Sequence, residues 1–243
     1  MRKLIAVWGC PGSGKTTFCA KLTKLIYDIF PTKVICILAD PVMPALPLLF
    51  PNKKASEMYS IGAALSKTEI TTDTVLEHLV TADEAREIGF IGYKDGENRW
   101  SYPEFSAEKA AALFDTAAAL ADFVIVDCGS DLTGLLSLTA ISRADHIFRF
   151  YKPDLKAISF YSSQTPLYGD PMYRMGEQIP AMNVSENELY IPVQEMAQQC
   201  KCDIVIPYAA AVKQQMMDGR LMQNVPDKPW GNAMIQIVKQ VVT

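Results

Sequence analysis

The sequence predicts a doubly wound α/β fold with a mainly parallel sheet, and three observations carry that expectation. Short apolar, β-rich runs recur at 4–8, 34–38, 88–91, 123–126, 146–150 and 204–206. Stretches with helical patterning separate them, at 15–27, 74–79, 107–121 and 193–199. The turn between the first run and the first helix holds Gly9, Gly12 and Gly14, in a chain with only 13 glycines. Continuous apolar runs suit strands covered on both faces. Their alternation with helices implies crossover connections and a parallel sheet.

The elements follow in order from local composition. Residues 4–8 read as a buried first strand, too short an apolar run for a signal peptide. After the second strand, Pro41, Pro44, Pro47 and Pro51 predict an extended loop over 41–51. Residues 92–103 are polar and turn-rich, and 168–180 form an irregular insert with Gly169, Pro171, Gly176 and Pro180. The last segment, 230–242, reads as a helix with Met234, Ile237, Val238 and Val241 on one face. That face either docks on the core or meets a membrane; with Lys239 as the segment's one basic residue, docking is favoured.

With 243 residues, 49% apolar and 21% charged, the chain is foldable, and one domain spanning 1–243 is the simplest division. Its 23 basic and 27 acidic residues give a net charge of −4, which excludes a bulk electrostatic glove for nucleic acid. The six cysteines are scattered, mostly in apolar runs, and suggest buried, reduced thiols in a cytoplasmic protein. Cys200 and Cys202 form a C-x-C pair without a second pair at metal spacing. No stretch reaches the ~18 apolar residues of a membrane span.

Chemistry enters at Gly9-Cys10-Pro11-Gly12-Ser13-Gly14-Lys15-Thr16, which fits G-x-x-x-x-G-K-[ST] with a strand before it and a helix after it. Glycines let backbone N–H groups turn inward around phosphate oxygens. The helix N-terminus, continuing into Thr17, adds free N–H groups and a favourable dipole. Lys15 would reach the β- and γ-phosphates, and Thr16 would offer its hydroxyl to Mg²⁺. The motif therefore predicts nucleoside triphosphate binding.

Such a site needs a carboxylate near the metal. Asp127 closes the run 123–126 and fits the Walker-B role; a helix-capping Asp is its plainer reading. Asp40 ends the second strand and either orients the attacking water, joins the metal shell, or forms an Asp-Pro turn. Asp131 is either a nucleotide-sensing loop residue or a helix cap.

The order of these motifs resembles the ParA/MinD branch of the SIMIBI P-loop ATPases. It runs from the Gly14-Lys15-Thr16-Thr17 loop through Ala39-Asp40-Pro41, 127–131 and 144–147 to Val205-Ile206-Pro207-Tyr208. The stretches 127–131 and 151–156 look most like the CpaE/TadZ-type ATPases that help assemble Flp/Tad pili. The resemblance implies about seven or eight strands, ATP and Mg²⁺ as ligands, a nucleotide-linked homodimer, slow hydrolysis with Asp40 positioning water, and a protein partner in a pilus or partition system. It matches Asn183 to an adenine-reading residue and sets Pro207 and Tyr208 beside the base. No guanine-reading N-K-x-D stretch is present.

The chain also departs from that pattern. Cys10 stands where the family keeps a signature lysine, Pro11 where it keeps a glycine, and Leu38 at the first position of its D-x-D. Two other readings follow: a small-molecule kinase, for which Arg143 and Arg149 are the nearest thing to a lid cluster, and a non-hydrolysing nucleotide-binding scaffold.

Overall fold

The structure is a computed structural model that describes residues 2–82, 85–187 and 191–242. In chain order the elements are β1 (Lys3–Gly9), α1 (Lys15–Ile29), β2 (Val34–Leu38), α2 (Leu46–Leu49), α3 (Ile61–Leu65), α4 (Thr72–His78), β3 (Val80–Ala82) and β4 (Ala85–Gly92). Then come α5 (Ala107–Leu120), β5 (Phe123–Asp127), α6 (Leu135–Arg143), β6 (His146–Tyr151), α7 (Leu155–Gln164), β7 (Ile179–Asn183), α8 (Val193–Gln199), β8 (Ile204–Ile206), α9 (Ala210–Met217) and α10 (Lys228–Val242).

Among the described residues the strands form one eight-stranded sheet in the order β3-β4-β2-β5-β1-β6-β7-β8. Every pairing is parallel except β3 with β4 at one edge. The central strands are apolar along their length because both faces are covered. On one face Phe18, Leu22 and Ile26 of α1 pack with Leu46 of α2 and with α10. On the other, Ile61 of α3, Val75 of α4, Leu113 of α5, Ile141 of α6, Tyr161 of α7 and Met196 of α8 share a second core. The expected doubly wound architecture is therefore present.

Several boundaries differ from the sequence expectation, each for a local reason. The loop over 41–51 is not wholly extended: α2 is a single turn within it, and Pro47 sits in its first turn, where a missing N–H costs nothing. The helix expected at 74–79 begins at Thr72, because the Thr71 hydroxyl caps it by accepting from the Thr74 N–H. The insert expected to stay irregular through Pro180 ends in β7, which pairs with β6 from Ile179. Pro180 stands one residue before pairing with β8 begins at Ala181, so the break in donors falls at the strand's unshared end.

The C-terminal helix docks on the core. Asp227 caps α10 by accepting from the Trp230 N–H, and Trp230, Met234, Ile237, Val238 and Val241 are buried. Each such side chain contributes about 2 kcal/mol of burial before entropy. Its apolar face is thus covered by this chain itself. Five of the six cysteines are buried and Cys200 is half-buried, all as free thiols. No helix among the described residues is long and apolar enough to cross a membrane.

Candidate functional site

Strand register gathers the site. Asp127 of β5 lies level with Val7 of β1 and Leu38 of β2. The residues just beyond those positions, the 9–16 loop and Asp40, therefore emerge at the same carboxyl edge of the sheet. β7 and β8 end there too, delivering Asn183 and Pro207-Tyr208. This is the edge where open parallel sheets bind ligands.

The loop is built around Lys15. Gly14 takes a left-handed φ of 85° to turn the chain into α1, and a Cβ there would collide with the Asn183 amide. The Lys15 side chain is 7% exposed and curls back over the loop. Its Nζ donates to the carbonyls of Gly9 (3.1 Å) and Cys10 (3.2 Å) and to Ser130 Oγ (2.9 Å). The ammonium is thus poised inside a ring of backbone with neutral partners. The first N–H groups of α1 lie outside the helix's own ladder and remain available to an anion.

Beside the lysine, Thr16 Oγ1 donates to Asp127 Oδ2 at 2.5 Å. Asp127 is 2% exposed, and its other oxygen, Oδ1, is buried without a hydrogen-bond partner. Desolvation pushes this carboxyl up to about 6; the Thr16 hydrogen bond and Lys15 hold it down, and Asp40 pushes it further up. A buried carboxylate with one idle oxygen next to a threonine hydroxyl is a hard, anionic, oxygen donor set, which suits Mg²⁺. The capping alternative for Asp127 is not what the structure shows.

Asp40 is half-buried and its Oδ1 accepts from the Val42 (2.8 Å) and Met43 (3.3 Å) N–H groups. The turn reading is therefore realised, yet the residue still lines the same cleft as Lys15, Thr16 and Asp127. Asp131 accepts from the backbone and hydroxyl of Thr133, a local turn, while Gly134 caps α6.

The cleft has a volume of 390 Å³. Of the sequence-predicted residues, Gly12, Gly14, Lys15, Thr16, Thr17, Asp40, Asp127, Asn183, Pro207 and Tyr208 line it. Gly9, Cys10, Pro11 and Ser13 do not: Pro11 is exposed on the loop's outer side, and the other three are buried behind it. Cys10 turns its side chain into the core, where its backbone N–H meets Tyr161 Oη at 3.2 Å. Asn183 Nδ2 donates to the Ser13 carbonyl at 2.8 Å, so its amide braces the loop. Arg143 pairs with Asp115 and Arg149 lies over the Tyr151 ring; neither lines the cleft.

The structure adds residues that sequence reasoning missed. Ser130, in the window 127–131 already singled out, contacts Lys15 directly. Lys152 lines the cleft and pairs with Glu186 (2.7 Å) and Asp154 (3.5 Å). Lys21 does so from the second turn of α1. No local motif marked these lysines, because their setting is made by distant segments.

A scan against protein-family models and a search of curated proteins each return no match. Solved structures do match over essentially full length. A ParA family ATPase from Chlorobium tepidum TLS superposes with a TM-score of 0.75 at 14% identity, covering 97% of each chain. The chain has the ParA/MinD P-loop NTPase fold. A second match with that fold, the septum site-determining protein MinD of Pyrococcus horikoshii OT3 complexed with Mg-ADP, has a TM-score of 0.70 at 17% identity, covering 99% of this chain and 96% of that one. A third, a plasmid partition protein of Borrelia burgdorferi B31 bound to AMPPNP, has a TM-score of 0.67 at 13% identity, covering 99% of both.

Proposed function

We infer that the chain is a ParA/MinD-like switch ATPase that binds ATP with Mg²⁺ and hydrolyses it slowly. The observation that carries this reading is the idle, buried oxygen of Asp127 beside Thr16 and Lys15, at the end of a phosphate-type loop. Lys15 exchanges its neutral carbonyl partners for phosphate oxygens, a charge-assisted bond that is stronger than those it replaces. Thr16 and Asp127 are the residues that would hold Mg²⁺, which when bound neutralises charge on the phosphates. The N–H groups of Gly12, Gly14 and the start of α1 orient the anion. Asp40, anchored through Oδ1, would use its other oxygen to orient a water at the same edge.

Cys10 bears on turnover. The resemblance expects a lysine there that reaches the partner subunit's phosphates, and the buried thiol does not replace it. Turnover is therefore slow, and the biological output is the bound state. As partner we favour a protein of the Flp/Tad-type pilus machinery, on the resemblance of 127–131 and 151–156, with a partition system as the alternative. The net charge of −4 argues against DNA as the primary surface. A cytoplasmic location follows from the same reading.

A nucleotide-linked dimer is the expected working state. Val42 and Met43 stand exposed on the Asp40 turn and Met43 lines the cleft, so this apolar pair is available to a second copy beside the ligand. Size-exclusion chromatography with ATP and Mg²⁺ is expected to shift the protein to an elution volume near twice its 26.9 kDa. With ADP it should stay monomeric. Equal elution with ATP, ADP and no nucleotide would count decisively against the switch.

A further inference from the structure

A second lysine stands beside the phosphate loop. Strand β6 pairs with β1 so that Phe150 lies level with Gly9, and the Cys10 N–H still reaches the Phe150 carbonyl at 3.3 Å. Tyr151 and Lys152 therefore run on beside the loop that opens at Cys10. Lys152 lines the cleft together with Gly12, Gly14 and Lys15. Gly12 leaves room in that lining, since a Cβ there would meet nothing within 4 Å among the described residues. A lysine carries its charge on a flexible four-carbon stem, so the ammonium of Lys152 has a range of positions around its fixed backbone.

The two lysines are held differently. Lys15 donates to neutral carbonyls and a hydroxyl. Lys152 Nζ donates to Glu186 Oε1 at 2.7 Å and lies 3.5 Å from Asp154 Oδ2. Asp154 is fixed by α7, whose Ala157 N–H donates to its Oδ1 at 2.8 Å. Glu186 comes from the segment after β7 and also lines the cleft; its side chain is 52% exposed, against 20% for Lys152. An ion pair this open to water contributes little stability and is readily exchanged. A charge-assisted bond from an ammonium to a phosphate oxygen is stronger, so a polyanion seated in the loop draws Lys152 away from Glu186.

Resting on the triphosphate reading above, we propose that Lys152 is a second phosphate-binding cation of this site, held by Glu186 and Asp154 until a triphosphate takes it. Glu186 then competes with the ligand for one ammonium, and its carboxylate returns to water when the ligand binds.

The test is isothermal titration of the intact protein with ATP and with inorganic tripolyphosphate, both with Mg²⁺. Lys152→Met is expected to weaken both ligands about tenfold, the loss of one charge-assisted hydrogen bond, and Lys152→Arg to restore most of that loss. Glu186→Gln should strengthen both about threefold, the worth of a half-exposed ion pair; a gain in affinity is not a result that misfolding produces. In the Lys152→Met background Glu186→Gln should have no effect. Equal affinities of the parent and Lys152→Met would overturn the assignment, as would a loss seen with ATP and absent with tripolyphosphate. A Glu186→Gln gain that persists in the Lys152→Met background would also overturn it, because Glu186 would then act by repelling the ligand and not by holding Lys152. Failure of the parent to bind either ligand removes the triphosphate reading and Lys152 with it, whereas parent binding that Lys152→Met leaves unchanged removes Lys152 alone.

Discussion

Asp127→Asn is expected to make the ligand-free protein more stable at pH 7.5 while abolishing the Mg²⁺-dependent part of ATP binding. The stability gain follows from the carboxyl's titration. Burial raises it to about 6 in the folded state, against an ordinary value of 3.8. A group raised on folding stabilises the protonated folded state, fully so below the ordinary value, and that stability is lost as pH rises through 6. At pH 7.5 the ionised, buried form is present, at a cost of about 2–3 kcal/mol. Asparagine is near-isosteric, can still accept from Thr16, and removes the charge. Urea unfolding in EDTA should show the variant ahead by that amount at pH 7.5 and level with the parent near pH 4. A variant that is less stable at pH 7.5 would show that the carboxylate is satisfied within the fold. Retained Mg²⁺ dependence would place the metal elsewhere.

Gly9→Ala is expected to destabilise the fold by about 3 kcal/mol or more, an effect of backbone geometry with no ligand involved. Gly9 has φ of 155°, and an added Cβ would lie 2.3 Å from the Phe150 carbonyl oxygen and 2.8 Å from its nitrogen. Those atoms belong to β6, which pairs with β1 at this very residue. The strand cannot retreat without losing its central register and the Cys10 contacts behind it. Gly12→Ala is the control: nothing lies within 4 Å of its Cβ, so only left-handed backbone strain of about 1 kcal/mol applies. Comparable destabilisation of both variants would mean that the close approach of β6 to the loop is not what fixes the position.

The two variants mark what was legible in sequence. The loop, Lys15, Thr16 and Asp127 were readable because each is a residue type with few alternative uses at a strand end. The central strands were readable from continuous apolar runs. β7 was hidden by Gly176 and Pro180, which read as loop although the proline falls at the end of the strand that has no second partner. β3 was hidden by its shortness, three residues at an edge. The long-range contacts of Asn183 and Lys21 were not legible. Asn183 reaches a carbonyl 170 residues away, and Lys21 is buried by partners 194 and 202 residues on. In helix α1 a lysine at that spacing reads as surface until α9 and the following segment fold over it. The resemblance placed Asn183 at the edge where it lines the cleft, but not the bond its Nδ2 makes to the Ser13 carbonyl.

The central claim is that this edge of the sheet is a Mg²⁺-assisted ATP site organised by Lys15. Calorimetric titration of ATP into the intact protein, with Mg²⁺ and then with EDTA, alongside Lys15→Ala, tests it most directly. The account predicts saturable binding to the parent, tighter with Mg²⁺, and a loss of about 10- to 100-fold in Lys15→Ala, the worth of one or two charge-assisted hydrogen bonds. Absence of binding by the parent, or equal affinity in Lys15→Ala, would contradict it.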